Sequence, residues 1–226
     1  MSEHRIMEVV APLVARLEAH VNELDRVEET DPSNRAYPPA PEEDIVEAEK
    51  RLDFRFPPSY RAFLRIHNGW RGMWVWSIFG VSGPGQLEPL KEYEKDLKDF
   101  EKVFKRQGPK HVERLQNAEK DDPEVIYLPN HPPFGLDYNQ TYLVFDRNRP
   151  KRGGEFEVAV VSLGESVDTR FPDFIRFLES AARDIRGELR DKGIAPHDID
   201  PAAQMKGKGS GQKLKVGKSV RKEGKS

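Results

Sequence analysis

Thr141-Tyr-Leu-Val-Phe-Asp146, the turn-rich segment Arg147–Gly154, and Glu155-Phe-Glu-Val-Ala-Val-Val-Ser-Leu163 are the most informative part of the chain for its architecture. Two runs of β-branched and aromatic residues flank turn chemistry, so they read as a hairpin of antiparallel strands. Met73–Phe79 and Glu124–Leu128 have the same strand character. Around these short strands lie helical patterns. Ile6, Val9, Val10, Leu13, Val14, Leu17, Val21 and Leu24 form a stripe with spacings of three and four, interrupted by Pro12, where a kink or restart is expected. A second helix starts at Pro41, with Glu42, Glu43 and Asp44 complementing the positive end of its dipole. A third opens at Pro57-Pro58, buries Tyr60, Phe63 and Leu64, and meets a stop signal at Asn68-Gly69. Further helices are expected over 89–106, 111–118 and 171–192, the last through Phe174, Leu178, Ala181, Ile185 and Leu189. Helices and short strands without strict alternation indicate an α+β fold. The sheet is antiparallel or mixed, with helices on one face and at its ends.

Composition sets the outer bounds. The chain has 226 residues, 36% hydrophobic and 34% charged, so part of it is expected to be solvated rather than core. It has no cysteine, which excludes disulfides, thiolate nucleophiles and cysteine-ligated metal sites. No secretory signal opens the chain, and Met73–Phe79 is too short to span a bilayer, so a soluble, cytoplasmic protein is expected. Charge is unevenly spread. Residues 205–226 carry eight Lys or Arg and one Glu, which leaves residues 1–204 at −9 against a whole-chain charge of −2. The basic, glycine-rich end cannot bury enough apolar surface to order itself. Three units follow: an N-terminal helix and linker over 1–37, a domain over 38–193, and a disordered tail over 194–226. Weak contact with a polyanion is the tail's expected activity, and solubilisation the plainer reading.

No catalytic set stands out. Gly211–Ser219 has five residues between its glycines where a phosphate loop has four, and no strand precedes it. The six histidines lack metal-ligand spacing, and Ser166 lacks a nucleophile elbow. Asp137, Asp146, Glu155 and Glu157 could form an acid–base pair. Turn positions and a solvated strand face, shared by Glu155 and Glu157, explain them more simply. A hydrolase using Asp137, Asp146 and His67 is the catalytic alternative. Trp74 and Trp76 fall on one strand face and are assigned to the core, whereas Trp70, in the turn after the third helix, is expected at the surface as an anchor for a partner. The long loop Pro129–Gln140 displays Phe134, Asp137 and Tyr138, a second place for binding.

Ala40-Pro-Glu-Glu-Asp-Ile-Val-Glu-Ala-Glu-Lys-Arg-Leu52, followed by Phe56-Pro-Pro-Ser-Tyr-Arg-Ala-Phe-Leu-Arg-Ile-His-Asn-Gly-Trp70, resembles the opening of the SUKH superfamily, the family of the fungal cell-wall-assembly regulator and of bacterial toxin-immunity proteins. Pro133-Phe-Gly, the strand ending in Asp146, Phe156–Leu163 and Phe174-Ile-Arg-Phe-Leu178 resemble its later pattern. Members often carry Gly-Asn or Gly-Asp before the Asp-ending strand, where this chain has Asp137-Tyr-Asn-Gln140. The resemblance covers about residues 38–185 and implies a non-catalytic protein-binding domain without a cofactor. The first expectation is an immunity protein that neutralises a toxin, such as a basic nuclease. The alternative is a regulatory module in cell-wall or other signalling. Trp70, Phe134, Asp137, Tyr138 and Asp146 are the candidate partner-binding residues.

Overall fold

A computed structural model describes residues 2–29, 35–83, 108–137, 141–162 and 166–194, together with Lys102 and Arg106. The expected helix over 89–106, Tyr138 and the basic tail lie outside the described residues, apart from those two positions. The helices are α1 (Glu3–Glu28), α2 (Glu42–Arg51), α3 (Pro58–Leu64), α4 (Pro109–Asp121) and α5 (Phe174–Asp191). The strands are β1 (Arg35–Ala36), β2 (Trp70–Met73), β3 (Trp76–Ile78), β4 (Pro133–Asp137), β5 (Tyr142–Pro150), β6 (Phe156–Val161) and β7 (Val167–Phe171). Among the described residues they form one seven-stranded sheet in sequential order, and every pair is antiparallel. The fold is α+β, and its sheet is a meander rather than mixed.

Alternation along the central hairpin creates two apolar layers. Leu143 and Phe145 on β5, with Val158 and Val160 on β6, face the helices. Tyr142, Val144, Ala159 and Val161 face the opposite side, where Phe79, Ile126 and Leu128 cover them. Both faces of this hairpin are therefore buried, which explains its nearly unbroken apolar sequence. Helices α1, α3 and α5 pack together over the first face. The amphipathic stripe of α5 buries Phe174, Phe177, Leu178, Ala181, Ala182, Ile185 and Leu189, and Asp173 caps its first turn by accepting from Arg176 N at 2.9 Å. Helix α1 contributes seven buried apolar side chains to the same core, so it is an integral layer of the fold. It also runs on through Pro12, which sits on its exposed side, where water can satisfy the carbonyl that proline leaves without a partner.

Several elements differ from expectation. Met73–Phe79 is not one strand but the turn and second arm of a hairpin, with Trp74-Val75 at its tip. Trp74 takes a left-handed φ of 58° and Gly72 one of 69°, so no Asn-Gly or Asp-Gly signal marks the turn. Trp74 and Trp76 consequently do not share a strand face. Both are half-buried against the core, Trp76 edge-on to Phe177 at 5.9 Å. Glu124–Leu128 yields only a bridge from Val125 to Ser166, because Pro123 and Pro129 bracket it and a 3-10 turn starts at Leu128. Within the presumed loop Pro129–Gln140, residues 133–137 are a strand, with Pro133 at its first position. Strand β7 was not expected, since Asp168 and Arg170 suit an edge.

Asn68 and Gly69 stop no helix directly, because α3 ends at Leu64. They pin two distant segments instead. Asn68 Nδ2 donates to Ser82 O and Ser82 Oγ, each at 3.0 Å, and Val81 N donates to Asn68 Oδ1 at 2.7 Å. Its own N–H donates to Pro38 O at 3.0 Å. The approach is so close that a Cβ on Gly69, where φ is +88°, would stand 2.5 Å from Gly80 N. Asn68→Ala would strand the buried Val81 N–H and is expected to cost about 2–3 kcal/mol in urea denaturation. A loss under about 0.5 kcal/mol would show that water replaces the amide.

Candidate binding site

The residues singled out from the sequence do not form one surface. Trp70 is fully buried, which corrects the expectation that it is exposed. It belongs to β2, opposite Ile78, and its ring meets His67 edge-on at 5.6 Å. Phe134 is also fully buried and stacks on Phe145 at 4.2 Å. Asp137 is half-buried, and its carboxylate accepts from Thr141 N at 2.8 Å, closing the β4–β5 connection. Asp146 is fully buried. None of Trp70, Phe134 and Asp146 touches solvent, so any contribution they make to binding is made through the groups they position.

Asp146 is the hub of a polar network at the charged end of the sheet's outer face. It follows Tyr142 and Val144 onto that face by strand alternation. Its Oδ2 accepts from Arg170 Nη1 at 2.7 Å and Arg149 Nη1 at 3.1 Å, and its Oδ1 from Asn148 N at 2.9 Å. Glu157 pairs with the same Arg170 nitrogen at 3.4 Å and with Lys151 Nζ at 2.5 Å. On the other side, His131 lies 3.6 Å from Asp146 through Nδ1 and 3.0 Å from Glu119 through Nε2. Arg147 N donates to His131 Nδ1 at 3.2 Å. That bond assigns the proton to Nε2, which donates to Glu119. Glu119 also accepts from Tyr127 N at 2.7 Å and Asn130 Nδ2 at 2.9 Å. Helix α4 is therefore tied to the sheet mainly by a buried carboxylate, together with Leu115.

A carboxylate–histidine–carboxylate row invites comparison with a catalytic relay, but its surroundings give it a structural role. The His131 and Asp146 side chains have no solvent exposure and that of Glu119 has 3%. Each nitrogen of His131 faces a structural partner, Nε2 toward Glu119 at 3.0 Å and Nδ1 toward Arg147 N at 3.2 Å. His67 lies on the helix side of the sheet, between Tyr37 O at 3.2 Å and Glu18 at 2.8 Å, and so cannot join Asp146 in a hydrolase. Nor are Glu155 and Glu157 a solvated pair. Glu155 lies outside the strand and accepts from Ser59 N at 2.9 Å and Ser59 Oγ at 2.6 Å, capping α3 from across the fold. Among the described residues no group of three His, Asp or Glu could hold a metal ion.

The two glutamates respond to pH in opposite directions. Burial pushes Glu119 up, but the bonds from His131, Asn130 and Tyr127 outweigh it and leave the carboxyl below its ordinary 4.5. Its stabilisation is thus present above 4.5 and is lost as pH falls through the depressed value. Burial raises Glu155 despite the bonds from Ser59, so its contribution is greatest below 4.5 and declines as pH rises through the elevated value. Glu119→Gln should therefore be most destabilising near neutrality and approach wild type in acid, whereas the penalty of Glu155→Gln should grow on acidification. Urea midpoints measured across pH check both signs.

One open cleft, of about 520 Å³, lies on the helix side, between the first turn of α1, α3 and the turn before β6. Arg55, Arg61 and Arg65 line it with Glu3, over Ile6, Phe56, Pro58 and Phe156. The cleft is not legible in the chain, since Glu3, Ile6 and Phe156 reach Arg55, Arg61 and Arg65 from distant segments.

The family profile described as SMI1 / KNR4 family (SUKH-1) matches residues 39–180. The chain belongs to this SUKH-1 family. The match runs from the entry to α2 into α5, and so contains the Asn68–Gly80 clasp, the buried hairpin and the Asp146 network. The SUKH-1 match leaves out α1, although the core depends on it. No curated protein matches the chain. Among the described residues no helix is long and apolar enough to cross a membrane.

Proposed function

We propose that this SUKH-1 protein is a non-catalytic binding module that acts in the cytoplasm as an immunity protein, occluding a toxin domain with a basic surface such as a nuclease. The observation that carries this reading is the −9 charge of residues 1–204 on a family scaffold. An acidic surface accelerates encounter with a basic partner and competes with the phosphates that partner would otherwise bind. The burial of the His131 row supports a role without chemistry. Co-expression with the toxin encoded beside the gene tests it. Restored growth, and a complex that weakens with salt, are expected. Unprotected cells together with no complex at low salt would sink the reading.

A further inference from the structure

The arginine cleft is a feature that the immunity reading, on which this inference does not rest, leaves unused. Arg61 is held in place, 14% exposed, by Glu42 and by Glu49 at 2.5 Å. Glu49 is braced in turn by Phe56 N, which donates to it at 2.8 Å. Arg65 pairs with Glu42 at 2.8 Å and with Glu3. Arg55 is exposed at the rim. Three arginines thus line one cleft, together with Ile6, Phe56, Pro58 and Phe156.

We propose that this cleft docks an acidic segment of a partner protein that also carries a leucine or phenylalanine. Glu3 supports a carboxylate ligand. It projects from the first turn of α1, is 71% exposed, and already sets a carboxylate on Arg65. It is a stand-in that an incoming Asp or Glu can displace, since an exposed ion pair is held weakly. Arginine forks suit planar carboxylates, and the apolar floor adds burial of one side chain. Phosphate would use the guanidinium groups and leave that floor wet.

Fluorescence anisotropy of the full chain with a labelled peptide of alternating glutamate and leucine tests the site. The peptide binds at low salt and dissociates as salt rises. Arg55→Glu weakens it by about tenfold or more, Arg55→Ala by less, and Glu3→Gln tightens it several-fold by freeing Arg65. Both positions are exposed, so the fold tolerates the changes. A lysine–leucine peptide does not bind, and inorganic phosphate competes weakly. Absence of binding, unchanged affinity in Arg55→Glu, equal binding of a glutamate peptide without leucine, or competition by phosphate at equal concentration would each overturn the proposal. Protection against a basic toxin is insensitive to Arg55, so the two readings fail separately.

Discussion

Asp146→Ala is expected to lower folding stability by about 3–5 kcal/mol, the usual consequence of removing one partner from a buried ion pair. The carboxylate has no exposed surface and answers Arg170, Arg149 and the Asn148 N–H simultaneously. Alanine leaves two largely covered guanidinium groups facing each other, with Glu157 the one carboxylate paired with both among the described residues. The penalty therefore comes from stranded charge, more than from the lost attraction. Two companion variants separate these terms. Asp146→Asn preserves an acceptor for Asn148 N but not the charge, and should remain destabilised. Adding Arg170→Met to Asp146→Ala should recover part of the loss, because it removes one stranded charge. Equilibrium urea unfolding measures all three. A loss below about 1 kcal/mol for Asp146→Ala would mean that water reaches both arginines and that this end of the sheet is open.

Phe134→Ala should cost a similar amount, about 3–5 kcal/mol, by a different mechanism. Phe134 has no solvent exposure, and its ring contacts Phe145 at 4.2 Å, Phe174 at 5.4 Å, Tyr60 at 5.7 Å and Phe177 at 5.9 Å. It joins β4, β5, α3 and α5. The neighbouring strand is held by backbone bonds, so the cavity cannot collapse fully, and both transfer and cavity terms are felt. Phe134→Leu fills most of the volume and should cost less than half as much. Chemical denaturation gives the magnitude, and loss of near-ultraviolet circular dichroism reports the disordered aromatic cluster. Stability within about 1 kcal/mol of wild type for Phe134→Ala would show that α5 shifts to fill the gap.

Legibility followed the range of the interactions involved. The stripes of α1 and α5, the Pro57-Pro58 start of α3 and the β5–β6 hairpin are local patterns, and each appears near its expected place. The tip at Trp74 does not read as a turn, because its left-handed backbone is imposed by pairing of the flanking strands, against the preference of tryptophan. Strand β4 hides among prolines and shows itself only through its neighbours β3 and β5. For the candidate site, residue type was a poor guide to exposure. Trp70, Phe134 and Asp146 carry groups that could equally anchor a partner or a core, and a one-dimensional reading cannot tell which way each faces.

The chain alone establishes the α+β class, the uneven charge, the lack of cysteine chemistry and, through the residues from Ala40 to Trp70, the resemblance to the SUKH superfamily. The first three rest on composition and on periodicities that are satisfied within one element, and the last on the resemblance of quoted motifs. Folding in three dimensions settles that Asp146 is buried rather than solvated, that α4 is fastened through Glu119 and His131, and that Arg55, Arg61 and Arg65 share a cleft with Glu3. Each of those depends on contacts between segments far apart in the chain, and the free energy of a charge depends on what surrounds it once the chain has folded.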